Sequence, residues 1–184
     1  ILRCLVGSEM CIRDSRLTGW LAYTLSWSYR KFDDLNNGEA FPFTYDRRHL
    51  FNAVVQYQLP RNWSFSANWT YRTGVAFDLP SARFFVFGLN YVEPDIVPIY
   101  GEQNAFRMPA YHRLDMGFVK KFKPKKVLQS ELALSIYNVY SRRNPFFVYP
   151  DEEVTNSETG AYKYVYKQAS LFPILPSISY NFKF

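Results

Sequence analysis

The segment ILPSISYNFKF, residues 174–184, alternates with a period of two. Ile174, Ile178, Tyr180, Phe182 and Phe184 share one phase, while Ser177, Ser179, Asn181 and Lys183 share the other. Successive side chains of a strand point to opposite faces, so this segment predicts a β-strand with one apolar and one polar face. Its length matches the about 9–11 residues a tilted strand needs to cross a bilayer. It closes on an aromatic ring, a residue type favoured at a bilayer interface.

The alternation recurs upstream. Over residues 17–29, Leu17, Gly19, Leu21, Tyr23, Leu25, Trp27 and Tyr29 oppose Thr18, Trp20, Ala22, Thr24, Ser26 and Ser28. Over residues 46–59, Phe51, Ala53, Val55, Tyr57 and Leu59 oppose Asn52, Gln56 and Gln58. Residues 63–73 set Trp63, Phe65, Ala67, Trp69 and Tyr71 against Ser64, Ser66, Asn68, Thr70 and Arg72. Residues 111–122 and 130–140 repeat the pattern, with Asn138 breaking the apolar phase of the latter, where a bulge or a membrane boundary is expected. A sixth strand is expected from about residue 162 to 184. Aromatic residues make up 20% of the chain and glycines number only 8, which fits an all-β protein. No apolar run approaches the ~18 residues of a membrane helix, but barrel strands alternate and carry no such run. The net charge of +6 is scattered or sits in turns, so no nucleic-acid partner is expected.

The connections are as regular as the strands. Residues 32–44, 74–110 and 144–160 are long and polar or proline-rich, and part of the second, about residues 83–91, is expected to add strand. Residues 60–62 and 123–128 are short. Long loops on one side and short turns on the other are the layout of outer-membrane barrels. The long loops then face outward and the short turns face the periplasm. The fold expected is an all-β, antiparallel transmembrane β-barrel fragment of about six strands. The smallest such barrels have about eight strands, so the sheet should be open, with a free edge at residues 17–29. Lys120 is in phase with the lipid face and close enough to the periplasmic turn to snorkel.

Residues 1–15 lack both the aromatics and the alternation, and hold both cysteines, Cys4 and Cys11. LVGSEMCIRDS, residues 5–15, resembles the in-frame translation of a transposase sequencing adapter. That resemblance implies a non-native segment over residues 1–15, a cysteine-free native part, and a reading frame that continues upstream.

Four motifs carry a second resemblance: YDRRH (residues 45–49), RMPAYHRLD (107–115), SIYNVYSRRNPFF (135–147) and SLFPILPSISYNFKF (170–184). Together they resemble the C-terminal strands of TonB-dependent outer-membrane receptors, over residues 16–184. The family implies a larger barrel plugged by an N-terminal domain, in the bacterial outer membrane. It takes up siderophores, cobalamin or glycans with energy from the TonB complex. Its partners would be outer-membrane lipid, the missing barrel strands and plug, and TonB through the absent N-terminal region. Another outer-membrane barrel (porin or barrel enzyme) and a soluble β-sandwich binding module stay open as alternatives.

No catalytic residues, cofactor or metal are expected. His49 and His112 sit among arginines, which disfavour a cation, and read as polar residues at strand–loop junctions. Asp46 with Arg48, and Asp115 with Arg113, are i,i+2 pairs expected to ion-pair along one face. Asn52, Gln56, Asn68, Arg72, Arg113 and Asp115 read as polar lining of a lumen. The loop aromatics Phe41, Phe43, Phe84, Phe85, Phe87, Tyr91 and Tyr100 could stack on a ligand. Trp63, Trp69, Tyr180, Phe182 and Phe184 read as lipid-facing, and Phe184 resembles the C-terminal aromatic by which outer-membrane barrels are recognised for assembly.

Overall fold

The computed structural model describes residues 2–13, 16–87, 94–123, 128–156 and 161–183. Phe184 and Tyr91 lie outside them, as do the side chains of Phe85 and Phe87.

In chain order the strands are β1 (Leu2–Arg13), β2 (Leu17–Arg30), β3 (Phe41–Pro42), β4 (His49–Leu59), β5 (Trp63–Arg72), β6 (Ala76–Phe77), β7 (Pro80–Phe87), β8 (Pro94–Tyr100), β9 (Phe106–Arg107), β10 (Tyr111–Lys121), β11 (Gln129–Tyr137), β12 (Pro145–Asn156), β13 (Ala161–Ser170) and β14 (Leu175–Lys183). The main sheet is an antiparallel meander in the order β1-β2-β4-β5-β10-β11-β14, curled and open. Each main strand pairs with the next main strand in sequence. All three long connections therefore leave the sheet at one end and the short ones at the other.

The open, all-β sheet agrees with the alternation, but its edge does not fall where expected. Residues 2–13 pair with β2 from Leu2↔Ser28 to Arg13↔Thr18, with a register shift between Leu5 and Ser8. The sheet thus has seven strands rather than about six, and β1 is the edge. An edge strand offers a row of main-chain donors and acceptors to any extended segment, whatever its side chains.

The short turn after β4 places Arg61 at φ 62° and Asn62 at φ 61°. Positive φ at successive turn residues matches the right-handed twist of the flanking strands. At the other end two long connections fold into hairpins of their own. β7 pairs with β8, and β12 pairs with β13. The expected loop at 144–160 is therefore largely strand, and the expected sixth strand is two. β13 belongs to the hairpin, while β14 pairs with β11 from Tyr137↔Leu175 to Gln129↔Lys183. The break follows from Phe172 at φ 48° and from Pro173 after it. Proline lacks the N–H that a continuous ladder would use. Pro176 is tolerated because β14 is an edge strand.

Burial is inverted relative to a layered domain. Among the described residues the buried apolar side chains are Phe41 and Ala76, whereas Asp46, Thr70, Asn104, Asn138 and Asn144 are buried polar groups. Large apolar side chains stand exposed on the sheet, reaching 71% at Ile178 and 59% at Phe182. A sheet ordinarily buries its apolar face against a second layer. Here the described residues form a single layer.

Candidate functional site

The pairing registers align the strand phases across the sheet. One row runs Leu17, Tyr57, Phe65, Phe118, Leu134 and Ile178. The neighbouring row on the opposite face runs Thr18, Gln56, Ser66, Gly117, Ser135 and Ser177. One face is mostly apolar from β2 to β14 and the other mostly polar, with Trp20, Leu50, Val54, Val119 and Leu175 among the apolar members of the polar face and His49, His112 and Lys120 among the polar members of the apolar one. Polar-phase residues border a hollow at the short-turn end, together with Phe122 and Phe182. Gln58, Ser64, Lys121, Glu131 and Asn181 border a concavity of ≈ 620 Å³ there.

Asn52, Gln56, Asn68, Arg72, Arg113 and Asp115 all fall in the polar phase. Asn52 accepts a hydrogen bond from Thr70 Oγ1 at 3.0 Å. Arg113 donates Nε to Asp115 Oδ2 at 2.9 Å, so this expected i,i+2 pair forms. Arg113 also donates to the Tyr137 hydroxyl at 2.6 Å, and Tyr111 lies beside it. The other oxygen of Asp115 accepts the backbone N–H of Asn138 at 2.9 Å.

Asp46 does not pair with Arg48. Its buried carboxylate takes Arg107 instead, and its other oxygen accepts the Ser28 N–H at 2.8 Å. An i,i+2 pair needs extended backbone, and Asp46 lies in a turn before β4 begins at His49. Asparagines complete the same work. Asn104 donates Nδ2 to the Pro42 carbonyl at 2.9 Å, and its N–H donates to Asp78. Asn144 accepts the His112 N–H and donates to the His112 carbonyl, both at 3.0 Å. Asn138, at φ 54°, ends β11 and donates Nδ2 to the Arg142 carbonyl at 2.9 Å. The sequence motifs thus meet at the loop end of the sheet, where they fasten each loop base to the adjacent strand. Asn104, Arg107 and Asn144 carry no alternation or spacing signal that would single them out.

Beside these locks stand Arg47, Arg48 and Arg72, each half-buried. The Arg72 guanidinium lies 5.3 Å from the Tyr111 ring centroid. Burial, and then the charge of Arg72, push Arg47 down from its ordinary value.

On the apolar face two aromatic rims appear. At the loop end the Tyr23 hydroxyl meets His49 Nδ1 at 2.9 Å, and the Tyr140 hydroxyl meets His112 Nδ1 at 2.8 Å. Tyr71 stacks beside His112 with centroids 6.4 Å apart. The two histidines are therefore partners of phenols in separate pairs. At the short-turn end Trp63, Lys120, Leu132 and Tyr180 form one row. The Lys120 ammonium lies 5.2 Å from the Trp63 ring and donates to the Arg61 carbonyl in the turn. Trp69 is in the apolar phase with its ring 5.3 Å from that of Phe51, and Phe182 lies 6.1 Å from Tyr180.

The loop aromatics divide. Phe41 is 5% exposed and packs on Phe32, so it is not available for stacking on a ligand. Its pairing on Arg30 in the short β3 draws it under the loop. Phe43 is covered by the Arg30 guanidinium at 3.7 Å and meets Tyr45 edge-on. Phe84 and Tyr100, on the β7–β8 hairpin, are exposed.

Fold and site together define a single-layer, open antiparallel sheet with one apolar face, one polar face and an arginine-rich polar rim. No family model, curated protein or solved structure matches the chain.

Proposed function

We propose that the chain is the C-terminal wall of an outer-membrane β-barrel, of the TonB-dependent receptor type, that serves nutrient uptake and has no catalytic role. The observation that carries this reading is the uninterrupted apolar row from Leu17 to Ile178, on a sheet that no second layer of the described residues covers. Lipid would cover that face, and the remaining strands of a larger barrel would pair its edges. An unpaired edge in hydrocarbon would cost several kcal/mol per main-chain group.

The aromatic rims support the same reading. From Trp63 to Tyr71 β5 climbs about 27 Å at ~3.4 Å per residue. A tilt of about 40° leaves ~21 Å between the rims, close to the about 25 Å apolar band of such barrels. The polar face would line the lumen and meet a plug domain. The receptor class rests on the four motifs, and the substrate would be a siderophore, cobalamin or glycan. The adapter-like residues 1–15 would lie outside the native protein.

The test is quenching of Trp63 and Trp69 fluorescence by brominated lipids after reconstitution into bilayers. Strong quenching is expected. A monodisperse, cooperatively folding monomer in detergent-free buffer would overturn the reading. Genomic sequence upstream encoding a plug-type domain would distinguish the receptor class from a porin.

A further inference from the structure

Guanidinium groups in a folded protein are ordinarily solvated or paired. At the loop end of the polar face two of them are paired: Arg107 with Asp46, and Arg113 with Asp115. These consume both carboxylates of the cluster. Arg47, Arg48 and Arg72 have no carboxylate partner among the described residues. They are nonetheless half-buried, and the Nε atoms of Arg48 and Arg72 are shut off from solvent without a hydrogen-bond acceptor. Taking charged groups partly out of water without pairing them is unfavourable.

The fold holds these groups in place. Arg72 ends β5, pairing with Leu50 on one side and Tyr111 on the other, and its guanidinium lies over the Tyr111 ring. Arg48 presents its carbonyl to the Ser26 N–H, and Arg47 presents its carbonyl to Ser26 Oγ, so both backbones are fixed to β2. The Asp46–Arg107 pair anchors the residue immediately before them. The result is that the Arg47 and Arg72 charges lie close to each other beside the Tyr111 phenol, with the half-buried Arg48 next to Arg47 in the chain.

We propose that Arg47, Arg48 and Arg72 bind the anionic part of a ligand that carries several carboxylate or phosphate groups. Planar guanidinium forks match such oxygen pairs, and partial burial strengthens the contact. This deepens the uptake reading and rests on it: the rim would select acidic substrates as they enter from the loop end.

The test is isothermal titration of the full chain in detergent micelles with citrate, and separately with inorganic phosphate. Citrate is expected to bind more tightly than phosphate, and binding should weaken as NaCl is raised. The double variant Arg47→Gln/Arg72→Gln should lose at least about tenfold in citrate affinity, whereas Arg72→Lys should retain part of it and Lys163→Gln, on the exposed surface of β13, should lose none. Absence of citrate binding to the unaltered chain would overturn the proposal, and so would equal binding by the double variant. Bromolipid quenching of both proteins separates the two failures. Quenching without citrate binding overturns only the ligand class, whereas loss of quenching in the unaltered chain overturns the membrane-wall reading itself.

Discussion

The Arg107 guanidinium and the Asp46 carboxylate, 61 positions apart in sequence, join the base of the first long loop to the base of the second. The Asp46 side chain is fully buried and Arg107 keeps 29% of its exposure. A lone charge left in that place would be poorly solvated. Arg107→Met should therefore cost about 3 kcal/mol, the low end of the range for breaking a buried pair because the cation keeps part of its contact with water. Arg107→Met/Asp46→Asn together should cost less than Arg107→Met alone. Urea unfolding of the micelle-embedded chain checks both.

Gly74 tests the next link in the same loop base. A Cβ there would sit 1.6 Å from the Met108 carbonyl oxygen, which no side-chain movement can relieve. The neighbouring Met108 N–H donates to the Val75 carbonyl at 3.0 Å, so the two arms of the loop are in direct main-chain contact. Gly74→Ala should cost about 1–3 kcal/mol. It should also raise hydrogen exchange at Met108 and in the β6–β9 ladder, while exchange in β14 stays unchanged.

Strand phase was legible because the two-residue alternation is fixed by backbone geometry, and Trp63 to Arg72 had to present one apolar and one polar face in any sheet. Meander order was legible because the alternating loop lengths left little else. Partner choice at the loop ends was not. Asp46 reads locally as a partner of Arg48, and only the fold brings Arg107 beside it. The β12–β13 hairpin was hidden because residues 161–170 and 175–183 read as one run until Phe172 turns to positive φ. The pairing of Leu2–Arg13 was hidden for a different reason: edge pairing is made by main chain and leaves no side-chain pattern. Arg47, Arg48 and Arg72 were visible as arginines, but their lack of partners is a property of three strands together.

Lys167 on β13 sits between Asp151 at 2.7 Å and Glu153 at 3.0 Å on β12. Its hydrogen bonds to the Asp151 and then the Glu153 carboxylate hold the ammonium above the usual lysine range. A raised folded value means that the stabilisation is fully present below the unfolded value, about 10.4, and is lost as pH rises through the folded one. The group is solvent-exposed, so the effect is small and local. Lys167→Gln should increase proteolytic cleavage within residues 145–170 at neutral pH, and the difference from the unaltered chain should shrink only in strongly alkaline solution. Cleavage at equal rates at neutral pH would refute the role of the pair.

Phe118 and Lys120 stand two residues apart on the same face of β10, and they separate a membrane wall from a sheet in water. Phe118 lies in the apolar row next to the rim, between Phe65 and Leu134. Lys120 lies in the rim row, over Trp63, with its ammonium on the Arg61 carbonyl. A lysine at the midplane of a lipid face costs about 2–4 kcal/mol, falling to about 0–1 near the interface. One row in from the rim, Phe118→Lys should therefore destabilise the reconstituted chain by an amount between these limits, about 1–3 kcal/mol. Lys120→Leu removes a charge that already reaches the interface and should change stability by less than about 1 kcal/mol. If the apolar face met water instead, the order would reverse in character: Phe118 is 38% exposed, and a lysine there would be solvated at little cost. Guanidinium titration of both variants in bilayers measures the difference, and equal stability of the two would remove lipid as the cover of this face.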